Sequence, residues 1–361
     1  MRQRMRRLSN GSGVAIAEGR GLRTVALSLS VLGLAVLVTA PAAGAKTRIV
    51  WSRFARTGPK QRLVSARPNG THLQKLTHPG KHSQDIDASI SPDGTRVLFE
   101  RDFLNAKISR VAVVGGNGQN EHPLDLGCVD PCVADLTPTW LPAGDRFAFT
   151  PIIGPFDAPH QSASSAVLHT ARSNGTDIQR LSQPGIDGKF EDYRARFSRD
   201  GSYVVFQRLD NVTGDSAIFR MDPDGSHVRR LTPWKLEADT QDLSPATRGP
   251  TKNLVAFETY GHGGPPPGKS QNLATVPSTC APVSACRKQI RYVTHHHGGP
   301  SQSFNPSWSP NGRRIAYVRF RDHPCCVGDI WTMRPDGSHR RPVSRSRLFE
   351  YRPDWGEAPR G

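Results

Sequence analysis

The sequence predicts an all-β fold, a six-bladed β-propeller, and three observations carry that prediction. Two short turn-and-strand patterns alternate along the chain, Gly and Pro are dense, and the first and last apolar strands complete one another. A seven-blade count is the alternative that the repeat spacing leaves open.

The first pattern is a tight turn followed by an apolar strand. It reads Ser91-Pro92-Asp93-Gly94 then Val97-Leu98-Phe99. It returns as Leu141-Pro142-Ala143-Gly144 with Phe147-Ala148-Phe149, as Ser198-Arg199-Asp200-Gly201 with Val204-Val205-Phe206, and as Ser309-Pro310-Asn311-Gly312 with Ile315-Ala316-Tyr317. A degenerate copy ends in Leu254-Val255-Ala256-Phe257. Pro presets the first corner of such turns. The uninterrupted apolar triplets predict strands covered on both faces by neighbouring blades.

The second pattern is a Gly turn with a hydrophobe six residues on, usually followed by Thr or Ser. Asn69-Gly70 leads to Leu76-Thr77, Asn174-Gly175 to Leu181-Ser182, Asp224-Gly225 to Leu231-Thr232 and Asp336-Gly337 to Val343-Ser344. Asn117-Gly118 leads to Leu124, with Asp125 in the hydroxyl position. Asn-Gly and Asp-Gly favour two-residue hairpins because both central residues accept positive φ. Each unit thus supplies two hairpins, or four antiparallel strands, at a period of roughly fifty to sixty residues.

Full units begin near Asp85, Asp135, Asp192, Asp239 and Ser303, and two half-units remain. Arg352-Pro353-Asp354-Trp355 matches Asn305-Pro306-Ser307-Trp308, the first strand of a unit, while Ile49-Val50-Trp51 and the stretch to Thr77 supply the other three. Joined in one sheet, they shut the ring and leave no free edge, which predicts a monomer.

The Trp308-Ser309-Pro310-Asn311-Gly312 run, with Asp329-Ile330-Trp331-Thr332-Met333 and Asp336-Gly337-Ser338, resembles the TolB-type propeller repeat. The resemblance covers roughly residues 46–356. It implies an envelope protein that binds partners, without the extra N-terminal domain of the namesake. Similar blades also accompany peptidases and some lyases, so the motifs speak for fold more than for activity.

The N-terminus reads as an export signal, residues 1–45, ahead of a single propeller domain, residues 46–361. Arg2, Arg4, Arg6, Arg7, Arg20 and Arg23 form a basic region, Thr24 to Ala40 is uncharged and apolar, and Ala43-Gly44-Ala45 fits a small-residue cleavage site. An uncleaved membrane anchor is the alternative. The predicted location is therefore extracytoplasmic: periplasmic, cell-wall or secreted. The formal charge is +17; without residues 1–45, which hold six Arg and Glu18, 42 basic residues face 30 acidic ones, a net +12. Outside the membrane such a surface meets a protein or an anionic envelope polymer, not nucleic acid. Six cysteines fall in three local pairs, Cys128/Cys132, Cys280/Cys286 and Cys325/Cys326, which predicts disulfides that clip loops.

One column carries candidate site chemistry. Asp85, Asp135, Asp192, Asp239 and Glu350 fall at equivalent places before the first strand of their units, with Ser303 in the sixth. A carboxylate ring at one mouth of the channel would hold a cation such as Ca²⁺ or a cationic group of a partner. The other reading is that each Asp hydrogen-bonds within its own blade. Gly263-Gly264-Pro265-Pro266-Pro267-Gly268-Lys269-Ser270 spells a phosphate-loop pattern, but its prolines remove N–H donors and a strand pattern follows, so no nucleotide is expected. His295-His296-His297 reads as an exposed loop. No G-x-S-x-G elbow is present. The function read from the sequence is a non-catalytic binding scaffold; a carbohydrate-active hydrolase or lyase with a channel-mouth site is the alternative. The binding surface is expected on the longer loops, Pro151 to Ser165, Tyr260 to Gln271 and Asp322 to Val327.

Overall fold

Both patterns fold as antiparallel strands in the computed structural model, which describes residues 46–54, 61–154, 166–185, 188–261, 264–320, 327–346 and 348–359. The export segment, Cys325 and Cys326 lie outside the described residues, as do parts of the three longer loops.

The first sheet is built from both ends of the chain. β1 (Thr47–Phe54), β2 (Gln61–Ala66) and β3 (Gln74–Lys75) join β24 (Glu350–Glu357) in the order β24-β1-β2-β3. β4 (Ser83–Ile90), β5 (Arg96–Phe103), β6 (Ile108–Gly115) and β7 (His122–Pro123) pair in succession. So do β8 (Cys132–Trp140), β9 (Arg146–Ile153), β10 (His169–Arg172) and β11 (Gln179–Arg180), and one parallel bridge from Ser109 to Ala134 ties these two runs together. Three further sheets follow: β12 (Phe190–Phe197) with β13 (Val204–Asp210), β14 (Ser216–Met221) and β15 (Arg229–Arg230); β16 (Asp239–Leu243) with β17 (Leu254–Glu258), β18 (Leu273–Pro277) and β19 (Arg291–Tyr292); and β20 (Gln302–Trp308) with β21 (Ile315–Phe320), β22 (Gly328–Met333) and β23 (Arg341–Pro342). A short helix, α1 (Val283–Gln289), interrupts the hairpin before β19. The architecture is all-β and propeller-like.

β24 and β1 run antiparallel with Ile49 opposite Trp355 and Arg53 opposite Glu350. The Trp355 indole donates to Thr47 Oγ1 at 3.1 Å. The apolar core lies between sheets. Ile49, Trp51 and Val64 pack with Phe304, Val318 and Ile330 on one side, and Val50 and Leu63 pack with Ala88, Val97 and Phe99 on the other. A strand sandwiched in this way needs apolar residues at successive positions, which is why the triplets do not alternate.

The Gly turns join sheets as well as strands. Gly175, at φ 88°, faces the Asp125 carbonyl so closely that a Cβ would sit 2.8 Å from it. Gly225 and Gly337 lie even nearer the carbonyls of Leu181 and Val293 in the preceding sheet, and Gly70 nears that of Val343. Positive φ and this close approach both demand glycine. The residue before each glycine shapes the same turn: Asn69 Oδ1 accepts from the Thr71 N–H at 3.1 Å and hydroxyl at 2.8 Å, and Asn174 does the same with Thr176. These contacts account for the two Asn-Gly-Thr sequons in structural terms. The Thr or Ser after the hydrophobe also has a task. Thr77, Ser182, Thr232 and Ser344 accept the N–H of Leu63, Leu168, Ile218 and Ile330 at 2.9 to 3.1 Å.

The disulfides Cys128–Cys132 and Cys280–Cys286 are formed, and each clips a local loop.

The glycine geometry predicts a contrast. Gly225→Ala meets both a left-handed backbone and the Leu181 carbonyl, whereas Gly214→Ala, at φ 76°, meets open space. Urea unfolding is expected to show a loss of about 1 kcal/mol at Gly214 and about 3 kcal/mol at Gly225. Equal losses would contradict the inter-sheet contact.

Candidate functional site

The acidic column lies on the strands that head each sheet, β4, β8, β12, β16, β20 and β24, and its side chains are buried. Their partners come from the neighbouring strand. Asp85 takes a bidentate bond from Arg101 at 2.7 and 2.9 Å, and Asp192 takes the same from Arg208 at 2.7 and 2.9 Å. Glu350 accepts from Arg53 at 2.5 Å. Each guanidinium stacks on an aromatic ring of its own strand: Arg101 on Phe99, Arg208 on Phe206 and Arg53 on Trp51, at 5.2, 5.4 and 5.8 Å. The nearby Thr77 and Ser182 hydroxyls favour the ionised Asp85 and Asp192 carboxylates, which burial opposes. Asp85 and Asp192, held by two bonds each, have few lone pairs left for a shared cation, whereas Glu350 Oε2 has no hydrogen-bond partner among the described residues. At Asp85, Asp192 and Glu350 the carboxylates pair with an arginine of the neighbouring strand.

Three positions depart from that rule. Ser303 stands opposite Arg319 and meets His296 Nε2 at 2.9 Å. Asp239 stands opposite Glu258 and lies 3.6 Å from Arg194. Burial, then Asp239, pushes the Glu258 carboxyl up to about 7. Asp135 faces Pro151, which has no donor to offer, and Asp125 replaces the usual hydroxyl. Asp135 is 1% exposed, and neither of its oxygens has a hydrogen-bond partner among the described residues. Burial pushes its carboxyl up to about 7. It is also the carboxylate of a possible metal cluster, because its ligand atom and those of Cys128 and Cys132 lie within 4.8 Å of one another. Both sulfurs are in the disulfide, which leaves one carboxylate, far from the six to eight oxygens that Ca²⁺ takes.

Two residues beyond the column a bulge recurs. Asp87, Thr137, Arg194, Asn305 and Arg352 all have φ between 50° and 56°, and Thr240, one residue beyond Asp239, has φ 39°. Each bulge shifts the register of its strand and re-aims the side chains that follow. Between sheets, Asp87 of β4 pairs with Arg194 of β12 at 3.3 Å and with Arg352 of β24. Asn305 donates through its N–H and side-chain amide to Glu258 at 2.7 and 3.1 Å and accepts the Arg352 N–H at 3.2 Å. Glu100 accepts the Thr137 N–H at 3.2 Å, and burial with nearby Asp87 raises its pKa well above the usual range.

Farther along the same strands, one end of the channel opens into a cavity of about 340 Å³, lined by Arg196, Asp242, Asp354, Trp140, Trp308 and Trp355 among others. Its polar side chains stitch neighbouring sheets. Ser89 accepts the Trp140 N–H at 3.2 Å, Asp242 that of Trp308 at 2.6 Å, Ser307 that of Trp355 at 3.0 Å and Asp354 that of Ile90 at 2.7 Å. Arg196 lies 3.3 Å from Asp242 and bonds the Thr139 hydroxyl. Burial raises Asp354 to about 6 and raises Asp242 as well. Sequence reasoning missed the channel network and this mouth. The signal was present two and four residues beyond the column in the same alignment.

The triple histidine and the phosphate-loop pattern carry no site among the described residues. His296 is half-buried, and burial lowers its pKa. Lys269-Ser270 is followed by strand β18, not a helix.

Asp135 sets a pH dependence. Its folded pKa, about 7, exceeds the ordinary 3.8, so the folded chain holds this proton more tightly than the unfolded chain. The associated stability is complete below about pH 4 and is lost as the pH rises through 7. Asp135→Asn keeps the shape without the charge. It is expected to match the parent in urea unfolding at pH 4 and to exceed it at pH 8 by about 4 kcal/mol. No gain at pH 8 would contradict the isolated buried charge.

No family model matches the sequence, and no curated protein matches it. Solved structures do match. TolB from Acinetobacter baumannii aligns with a TM-score of 0.61 at 18% identity, covering 86% of this chain and 66% of that one. A chain assigned as TolB from Agrobacterium tumefaciens aligns at 0.56 and 14% identity, covering 87% and 99%. Hydrazine synthase from Kuenenia stuttgartiensis aligns at 0.64 and 11% identity, covering 88% and 48%. The chain thus spans less than two thirds of the first of these proteins and about half of the third. At such identities the likeness is one of fold, and the chain has the β-propeller fold found in TolB proteins.

Proposed function

We propose that this chain is an exported, monomeric, non-catalytic scaffold. In this reading the six four-stranded units are blades of a ring shut by β24 and β1, and one face of the ring holds a protein or an anionic envelope polymer. Packing of each heading strand on the next supports the ring: β4 on β8, β8 on β12, β12 on β16, β16 on β20, β20 on β24 and β24 on β4. Two disulfides support export. Among the described residues, no helix is long and apolar enough to cross a membrane.

The observation that carries the reading is the shape of one face. Antiparallel order puts the first and third turns of every unit on the same side. Cavities of about 640, 340 and 980 Å³ open there, and Arg199 lines all three. A face with joined hollows and a basic rim suits a binding partner, which puts the surface on the side opposite the loops between second and third strands where the sequence predicts it.

One observation favours a second reading. Asp242 and Asp354 both line the channel mouth, and burial raises both, as an acid–base pair would require. Each also accepts an N–H from the next sheet, which argues for a structural task.

Site-specific photo-cross-linking of the full chain in its own envelope tests the scaffold. Probes at Ala143 and Asn311, on the cavity-bearing face, are expected to give discrete adducts, and a probe at Lys235, on the other side, none. Adducts confined to Lys235 would overturn the assignment.

A further inference from the structure

The repeat breaks between β16 and β17. Five residues, 91–95, separate β4 from β5, whereas ten, 244–253, separate β16 from β17. The long turn walls a groove of about 980 Å³ that runs to the turn at Pro310-Asn311-Gly312. The groove is rich in arginine: Arg199, Arg248, Arg291, Arg313 and Arg334 all line it and all are exposed. Among the described residues none of the five forms an ion pair. Arg199 reaches only the Pro310 carbonyl, at 3.5 Å, and Arg291 donates to the Lys288 and Ile290 carbonyls. The one acidic lining residue, Asp336, already accepts from the Ser338 N–H at 2.9 Å and hydroxyl at 2.7 Å. The rest of the lining is largely apolar, with Pro245, Ala246, Pro250, Leu254, Pro310 and Pro335 beside three threonines and Asn311.

We propose that this groove binds an acidic segment of a protein partner that carries apolar side chains between its carboxylates. The inference rests on the scaffold reading and names the class of partner. Unpaired guanidinium forks match carboxylates in bidentate geometry. The apolar wall adds a second requirement, because burying it releases water only against apolar groups. A peptide of alternating acidic and apolar residues meets both, whereas a phosphate polymer meets only the first. The volume, at the upper end for small-molecule sites, admits a short extended segment.

Fluorescence anisotropy on the full chain tests this with three probes: a labelled decapeptide of alternating Glu and Leu, a Glu-only decapeptide, and poly(glycerol phosphate). The Glu/Leu peptide is expected to bind tightest. Arg248→Glu/Arg313→Glu/Arg334→Glu, all at exposed positions, is expected to weaken it at least about tenfold with an unchanged melting temperature. Lys81→Glu/Lys235→Glu/Lys269→Glu, on the other side of the molecule, removes equal charge and is expected to leave affinity within about twofold. The proposal is overturned if the arginine variant binds as the parent does, if the lysine variant loses as much, or if poly(glycerol phosphate) binds more tightly than the peptide. Failure here with cross-links still formed at Ala143 and Asn311 rejects the partner class alone; loss of both rejects the scaffold.

Discussion

The antiparallel pairing of β1 with β24 is the constraint on which the other contacts depend. Through it, residues some 300 positions apart in the sequence share one sheet, and Arg53 reaches the Glu350 carboxylate. β24 then acts in two directions. Asp354 accepts the Ile90 N–H of β4, and the Trp355 N–H is accepted by Ser307 of β20. β1 is likewise flanked by apolar residues of both neighbouring sheets. Without this pairing, β1 and β24 would expose unpaired backbone groups and two apolar faces, the condition that β-proteins avoid at sheet edges.

Several buried ion pairs in this molecule join neighbouring strands or sheets. A buried ion pair contributes little net stability, because desolvation offsets most of the attraction, yet breaking one partner is costly. Such pairs therefore penalise a slipped register. The arginine stacked beside Asp85, Asp192 or Glu350 has its carboxylate only when the two strands are correctly aligned. Asp87, held by guanidinium groups from two other sheets, extends the same logic between sheets. Asp135 and Asp239 are exceptions, since Pro151 stands opposite the first and Glu258 opposite the second, and neither supplies a guanidinium.

Much of this fold was legible because its signals are local. Turn glycines, apolar triplets and, save at Asp125, the hydroxyl after the hydrophobe recur at the same short offsets within a unit, and each has a short-range physical cause. The role of the acidic column was less legible. Alternation along a strand says that residues two apart share a face, but not which face meets the channel. The bulges at Asp87, Arg194 and Arg352 shift that alternation within a few residues, so the channel side chains fall beyond the column. The cross-strand arginines were equally visible, sixteen residues past Asp85 and Asp192, but linking them required the strand register. The arginine groove sits where the repeat is weakest, at the degenerate unit, and pattern matching passes over such places.

Amide hydrogen exchange on the full chain and on a chain ending at residue 346 tests the central pairing most directly. The account predicts that in the full chain the amides of β1 exchange as slowly as those of β5 and β13. Loss of β24 should then accelerate exchange in β1 and β4 before it reaches β13. Equal protection of β1 in the two chains would contradict the account.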